Sequence, residues 1–177
     1  MPLRLRKALE KGDSLIQRTR ISPDGKLLSS WMPENEVSDV VPMLARLSGR
    51  DESVKRAFLC APQVSQIVKV PGEGGFCGYR NIQILISYIR GTKATGNEHF
   101  AQRTPSIFQL QDFIERAWDR GFGSAGRVET GGIRGTRKYI GTPEVNPCMF
   151  LPYCLFPPSN LRKGGSALPE SRRPVSF

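Results

Sequence analysis

The stretch Pro71-Gly72-Glu73-Gly74-Gly75 interrupts any regular backbone, and the chain then moves almost at once into Tyr79–Ile89. There Ile82, Leu85, Ile86 and Ile89 recur on one face of a helix. A glycine loop feeding an amphipathic helix constrains the fold more than any other stretch. The helix must bury its apolar face, and Cys77 sits at its N-terminus beside the glycines.

The neighbouring segments follow the same logic. Asn35–Leu47 carries Val40, Val41, Leu44 and Leu47 at helical spacing, and Pro42 places the helix start near Asp39. Glu52–Leu59 is expected to continue as a second short helix, and Ala61–Val70 alternates as a strand or extended loop. Gly91–Arg103 reads as a polar connection. A helix capped by Thr104 or Ser106 runs through Arg120 and turns Ile107, Leu110, Ile114, Ala117 and Trp118 inward before Gly121 ends it. Thr142-Pro143-Glu144 has the chemistry of a helix start, but prolines at 147, 152, 157, 158, 169 and 174 follow. The expected organisation is a basic, disordered lead-in over 1–34, a folded domain over 35–145 and a disordered Pro/Gly-rich basic tail over 146–177.

The net charge of +10 suggests a nucleic-acid partner until its distribution is considered. Residues 1–20 hold +4 of it and residues 151–177 hold +3, so the body is nearly balanced. Arg134, Arg137, Lys138 and Tyr139 are the nearest approach to a basic stripe with an aromatic, which speaks against nucleic acid as the partner. Gly121-Phe-Gly-Ser-Ala-Gly126 matches a dinucleotide fingerprint by letter but follows a helix rather than a strand. No apolar run is long enough for a membrane span, and no secretory signal is evident. Cysteines at 60, 77, 148 and 154 lack Cys-x-x-Cys spacing, and His99 is the one histidine, so neither a metal nor a cofactor is expected. Reduced thiols in the cytoplasm or nucleus are the expected state.

Cys77 admits two readings on its surroundings alone. The unpaired amides at a helix N-terminus favour a thiolate, and Gly74, Gly75 and Gly78 leave room for an extended substrate backbone to reach the sulfur. The backbone amide of Cys77 could also face a developing oxyanion. The alternative is a small buried cysteine at the head of a core helix.

Three blocks carry a family resemblance. Cys77-Gly78-Tyr79-Arg80-Asn81 with Gln83 and the apolar helix resembles the nucleophile segment of papain-like cysteine peptidases specific for ubiquitin and ubiquitin-fold modifiers. The family includes modifier-specific proteases and a zinc-finger-containing ubiquitin peptidase. Residues 105–122, ending in Ala-Trp and Gly-Phe, and residues 135–145, Gly-Thr-Arg-Lys-Tyr-Ile-Gly-Thr-Pro-Glu-Val, resemble the following helix and block.

The resemblance implies an α/β (α+β) papain-like cysteine peptidase fold, with its helical half present and its central sheet largely missing. It implies cleavage after the C-terminal glycine of ubiquitin or a ubiquitin-fold modifier, with Cys77 as nucleophile and Gln66 as the oxyanion candidate. Gly75, Gly78, Tyr79, Arg80 and Asn81 would support the nucleophile loop. The family's histidine and aspartate fall after the third block, yet the chain has no histidine beyond His99 and no aspartate beyond Asp119. The expectation is therefore a weak or inactive chain, truncated on its C-terminal side, with His99 a surface-loop residue. A non-catalytic modifier-binding protein is the alternative. Losing the sheet would also leave Ile82, Leu85, Ile86, Ile89, Ile114 and Trp118 without partners, and Cys60, set among apolar residues, is expected to be buried.

Overall fold

The structure is a computed structural model that describes residues 1–22, 24–100 and 103–141. The expectations for Thr142–Glu144 and for the tail over 146–177 lie outside these residues.

The core is built on three helices: α1 (Leu3–Gly12), α3 (Cys77–Thr92) and α4 (Ile107–Asp119). Tyr79, Ile82 and Ile86 of α3 meet Ile107, Leu110, Ile114 and Trp118 of α4, and Phe76, Phe100, Ile133 and Ile140 close the cluster from the loops. Leu5 and Leu9 of α1 complete it, Leu9 with no exposed surface. The lead-in expected to be disordered thus supplies part of the core. Its basic residues had hidden two leucines spaced one helical turn apart. For the same reason Ile82, Ile86, Ile114 and Trp118 are buried rather than partnerless, while Leu85 is exposed.

After α1 the chain forms an antiparallel hairpin of β1 (Leu15–Ile21) and β2 (Leu27–Pro33), with Leu15 opposite Pro33 and Ile21 opposite Leu27. A second antiparallel pair joins β3 (Glu36–Val37) to β4 (Gln66–Ile67). Between these lies α2 (Val40–Ser48), which buries no residue, so its apolar face is left at or near the surface. The short helix expected over Glu52–Leu59 is absent. Instead the Asp51 carboxylate accepts from the Ser53 amide at 2.9 Å and Val54 N–H closes a turn on Asp51 C=O. The whole segment is exposed, and eight residues without a packed face are too few to sustain a helix. Cys60 shares that exposure, which corrects its expected burial.

α4 forms as its sequence dictates. The Ser106 hydroxyl accepts from Gln109 N–H at 3.2 Å and the Gln109 side chain accepts from Ser106 N–H at 2.9 Å, a reciprocal capping box. Gly121, at φ +90°, ends the helix, and α5 (Ala125–Thr130) follows. Helices and two small antiparallel sheets make the described residues α+β, the class expected of a partial papain-like peptidase domain. No helix among them is long and apolar enough to cross a membrane.

Candidate functional site

Cys77 is the first residue of α3 and is half-buried. Helix geometry leaves the first N–H groups without intrahelical acceptors, so Cys77 stands at the positive end of the helix dipole. Phe76, immediately before it, has no exposed surface and packs edge-to-face on Tyr79, with ring centroids 5.7 Å apart. The junction between loop and helix is therefore anchored in the core on both sides of the thiol.

A polar cluster holds the preceding loop. Glu73 and Arg80 form an ion pair with side chains 1% and 3% exposed. Arg80 Nε donates to Glu73 Oε1 at 3.0 Å, Nη2 donates to Oε2 at 2.8 Å, and Nη1 donates to Gln83 Oε1 at 2.9 Å. Glu73 Oε2 also accepts from Val70 N–H at 2.9 Å. Asn35 joins with its amide oriented so that its oxygen accepts from Arg80 Nη1 and its nitrogen donates to Gly12 C=O, both at 2.8 Å. Asp13 adjoins the cluster. Burial pushes its carboxyl up to about 6, against the lowering pull of Arg80 and Arg103, and nearby Glu73 adds to the rise.

The third sequence block closes the other side. A Cβ on Gly78 would lie 2.6 Å from Ile140 O, so the backbones of α3 and residue 140 meet at van der Waals limits. Gly75 faces Arg137 O and Tyr139 Cβ, and Arg137 Nη2 donates to Gly72 C=O at 3.4 Å. This segment is itself held by α4. Glu115 Oε1 accepts from Ile133 N–H at 2.6 Å, Gln111 Oε1 accepts from Gly135 N–H at 2.9 Å, and Gln111 Nε2 donates to Thr136 C=O at 3.2 Å. Burial is the largest single influence on the Glu115 carboxyl and acts upward, but the Ile133 and Arg134 amides that donate to it and the Arg127 and Arg134 charges together hold it below its ordinary range. The third block thus packs against Gly75 and Gly78 on either side of Cys77 in the sequence, and the second block holds the third in place.

Gly75, Gly78, Tyr79 and Arg80 lie in this junction, and Asn81 is exposed on α3. Gln66 lies elsewhere. It is exposed on β4, its amide donates to Ile67 C=O, and the adjacent Ser65 N–H bonds Ser87 Oγ, ten residues and about 15 Å along α3 from Cys77. His99 follows the opposite end of α3 from Cys77. It ends a single 3-10 turn, Asn97–His99, beyond the C-terminus of α3, faces Glu98 at 3.5 Å, and shares a depression with Pro105, Gln109 and Phe113. Of the basic stripe, Arg134 pairs with Asp112 at 2.7 Å and Lys138 donates to Thr130 and Gly132 carbonyls. Sequence reasoning gave no role to Glu73 or Asn35. A glutamate inside a glycine loop, with an arginine seven residues on at the head of an apolar helix, was the available signal.

An α+β chain with a cysteine at a helix N-terminus under a glycine loop has the makings of a thiol hydrolase. The pattern of peptidase family C78 matches residues 53–155, more than half of the chain, and the chain belongs to that family. Residues here are also similar to zinc finger-containing ubiquitin peptidase 1 of three mammals. The Bos taurus protein is 34% identical over 94 residues, covering 52% of this chain and 16% of that protein. The Mus musculus protein is 34% identical over 74 residues, and the Homo sapiens protein 35% over 74, each covering 41% of this chain and 13% of that protein. The chain therefore spans a small fraction of the length of the curated relatives it matches. The resemblance read from the three blocks to modifier-directed cysteine peptidases is borne out at family level.

Proposed function

We propose that the chain carries the nucleophile portion of a cysteine peptidase site for ubiquitin or ubiquitin-fold modifier conjugates, with Cys77 attacking the carbonyl after the modifier's C-terminal glycine. The observation that carries this reading is the position of Cys77: half-buried at the first residue of α3, flanked in the chain by Gly75 and Gly78, which pack against Arg137–Ile140. Arg137 Nη2 stands 2.7 Å from where a Gly74 Cβ would lie and Ile140 fills the space at Gly78, so these glycines serve packing, and a tail whose own last residue is glycine is supported by the family match rather than by open space at the glycines. A cytoplasmic or nuclear setting belongs to the same proposal.

Thiolate attack and departure of the amine are separable demands. The leaving amine needs a proton, normally from a histidine paired with the nucleophile, and the 177 residues offer His99 alone. In serine hydrolases, loss of one member of such a unit costs on the order of a millionfold in turnover. These residues should accordingly be captured by a modifier bearing a C-terminal electrophile, which needs no leaving-group proton, and should turn over ordinary conjugates poorly.

The test compares electrophile capture, fluorogenic conjugate hydrolysis and pull-down for the wild type, Cys77→Ala and His99→Ala. Capture lost only in Cys77→Ala supports the reading. Pull-down without capture favours a non-catalytic modifier-binding protein. Robust hydrolysis abolished by His99→Ala would make His99 the base.

A further inference from the structure

The Arg80 guanidinium is a meeting point of four chain segments. The loop over 70–76 reaches it through Glu73, the end of α1 through Gly12 and Asn35, and the chain entering α4 through Gln83, whose Nε2 donates to Pro105 C=O at 2.7 Å. The fourth segment is α3 itself, on which Arg80 stands three residues after Cys77. A buried ion pair is seldom a better stabiliser than apolar side chains of the same volume, because both charges must be desolvated. What the pair does supply is direction: a planar fork read by two carboxylate oxygens and two amide oxygens fixes the loop relative to the helix.

We propose that Glu73 and Arg80, seconded by Asn35 and Gln83, are positioning residues for the Cys77 thiol, clamping the glycine loop onto the first turn of α3. The proposal rests on Cys77 being the nucleophile. Glu73 Oε2 holds the start of the loop through Val70 N–H, and Phe76, at the loop's end, is locked in the core. Gly74 and Gly75 are thereby suspended between two fixed points. Neither Glu73 nor Arg80 needs to touch substrate to act.

The experiment uses the full chain with Arg80→Met, Arg80→Lys and the near-isosteric Glu73→Gln. Hydrogen exchange is resolved by segment, and capture by a ubiquitin-fold modifier bearing a C-terminal electrophile is followed as a function of its concentration. The proposal predicts exchange at least tenfold faster over residues 72–79 with α4 unchanged. It also predicts a maximal capture rate lowered at least tenfold with the half-saturating concentration unchanged. Arg80→Lys should restore the maximal rate only partly, since it keeps the charge and loses the fork. Should Arg80→Met lose protection throughout, Glu73→Gln decides. Unchanged exchange over 72–79, or loss spread equally over α3 and α4, in Glu73→Gln would overturn the proposal. If the wild type is not captured at all, the peptidase reading fails while the exchange result still decides whether the clamp orders the loop.

Discussion

Replacing Gly78 by alanine places a methyl group 2.6 Å from Ile140 O and 2.7 Å from Ile140 Cγ1. Ordinary contact begins near 3.4 Å, so residue 140 must retreat by about 0.8 Å. Neither neighbour can easily step aside, because one is backbone and the other belongs to a side chain only 1% exposed. Overpacking of this kind costs roughly 1–3 kcal/mol, and the better helix propensity of alanine returns up to about 1 kcal/mol, so a net loss of up to about 2 kcal/mol is expected, with displacement of residue 140 as its companion sign. The control is Gly49→Ala, where the nearest atom is 3.4 Å away and φ is −73°, which should be neutral or slightly stabilising. Urea melts of both variants give the stability difference, and hydrogen exchange over 137–141 shows whether the segment has been displaced. Equal stabilities with unchanged exchange would mean that residue 140 does not close on α3 as described.

Other consequences are as direct. Because burial raises Asp13 from an ordinary 3.8 to about 6, the folded form keeps a proton that the unfolded chain has released; the resulting stability is fully present below about pH 4 and is lost as pH rises through 6. Asp13→Asn should therefore raise the urea midpoint at pH 7.5, by up to about 3 kcal/mol in stability, and leave it little changed at pH 4; an equal shift at both would refute the assignment. Ser106→Ala removes the capping box and should cost about 1 kcal/mol, read from the same melts, with Ser124→Ala, which makes no cap bond, as comparison.

Legibility in the sequence tracked how local the deciding physics was. For α4, a hydroxyl cap, apolar spacing and a terminal glycine all act within the helix, and the observed span agrees with the expected one. For α3 the spacing located the helix but not Leu85's exposure, which depends on what packs alongside. The Glu52–Leu59 segment failed for a related reason, since periodicity shows what could be buried and not whether anything covers it. Leu5 and Leu9 were hidden by surrounding cations whose stems and charges sit comfortably at a surface. Within the site, the junction of loop, cysteine and helix was visible because glycine and helix period are local signals. The Glu73–Arg80 pair and the approach of Ile140 were not, because both depend on segments that meet only after folding. Gln66 illustrates the opposite hazard: proximity in sequence to Cys77 left it about 15 Å along α3, near Ser87.

The most direct test of the account is site-resolved capture. Incubating the full chain with ubiquitin and with a ubiquitin-fold modifier, each carrying a C-terminal electrophile, and mapping the adduct by mass spectrometry asks whether Cys77 is a nucleophile addressed by a modifier tail. Exposed Cys60 serves as an internal reference for nonspecific thiol reaction. The account predicts a single adduct at Cys77, formed with at least one of the two, saturable in modifier concentration and absent in Cys77→Ala. Adducts at Cys60 and Cys77 in equal amounts, or none at Cys77 in a chain whose α3 and α4 are protected from exchange, would contradict it.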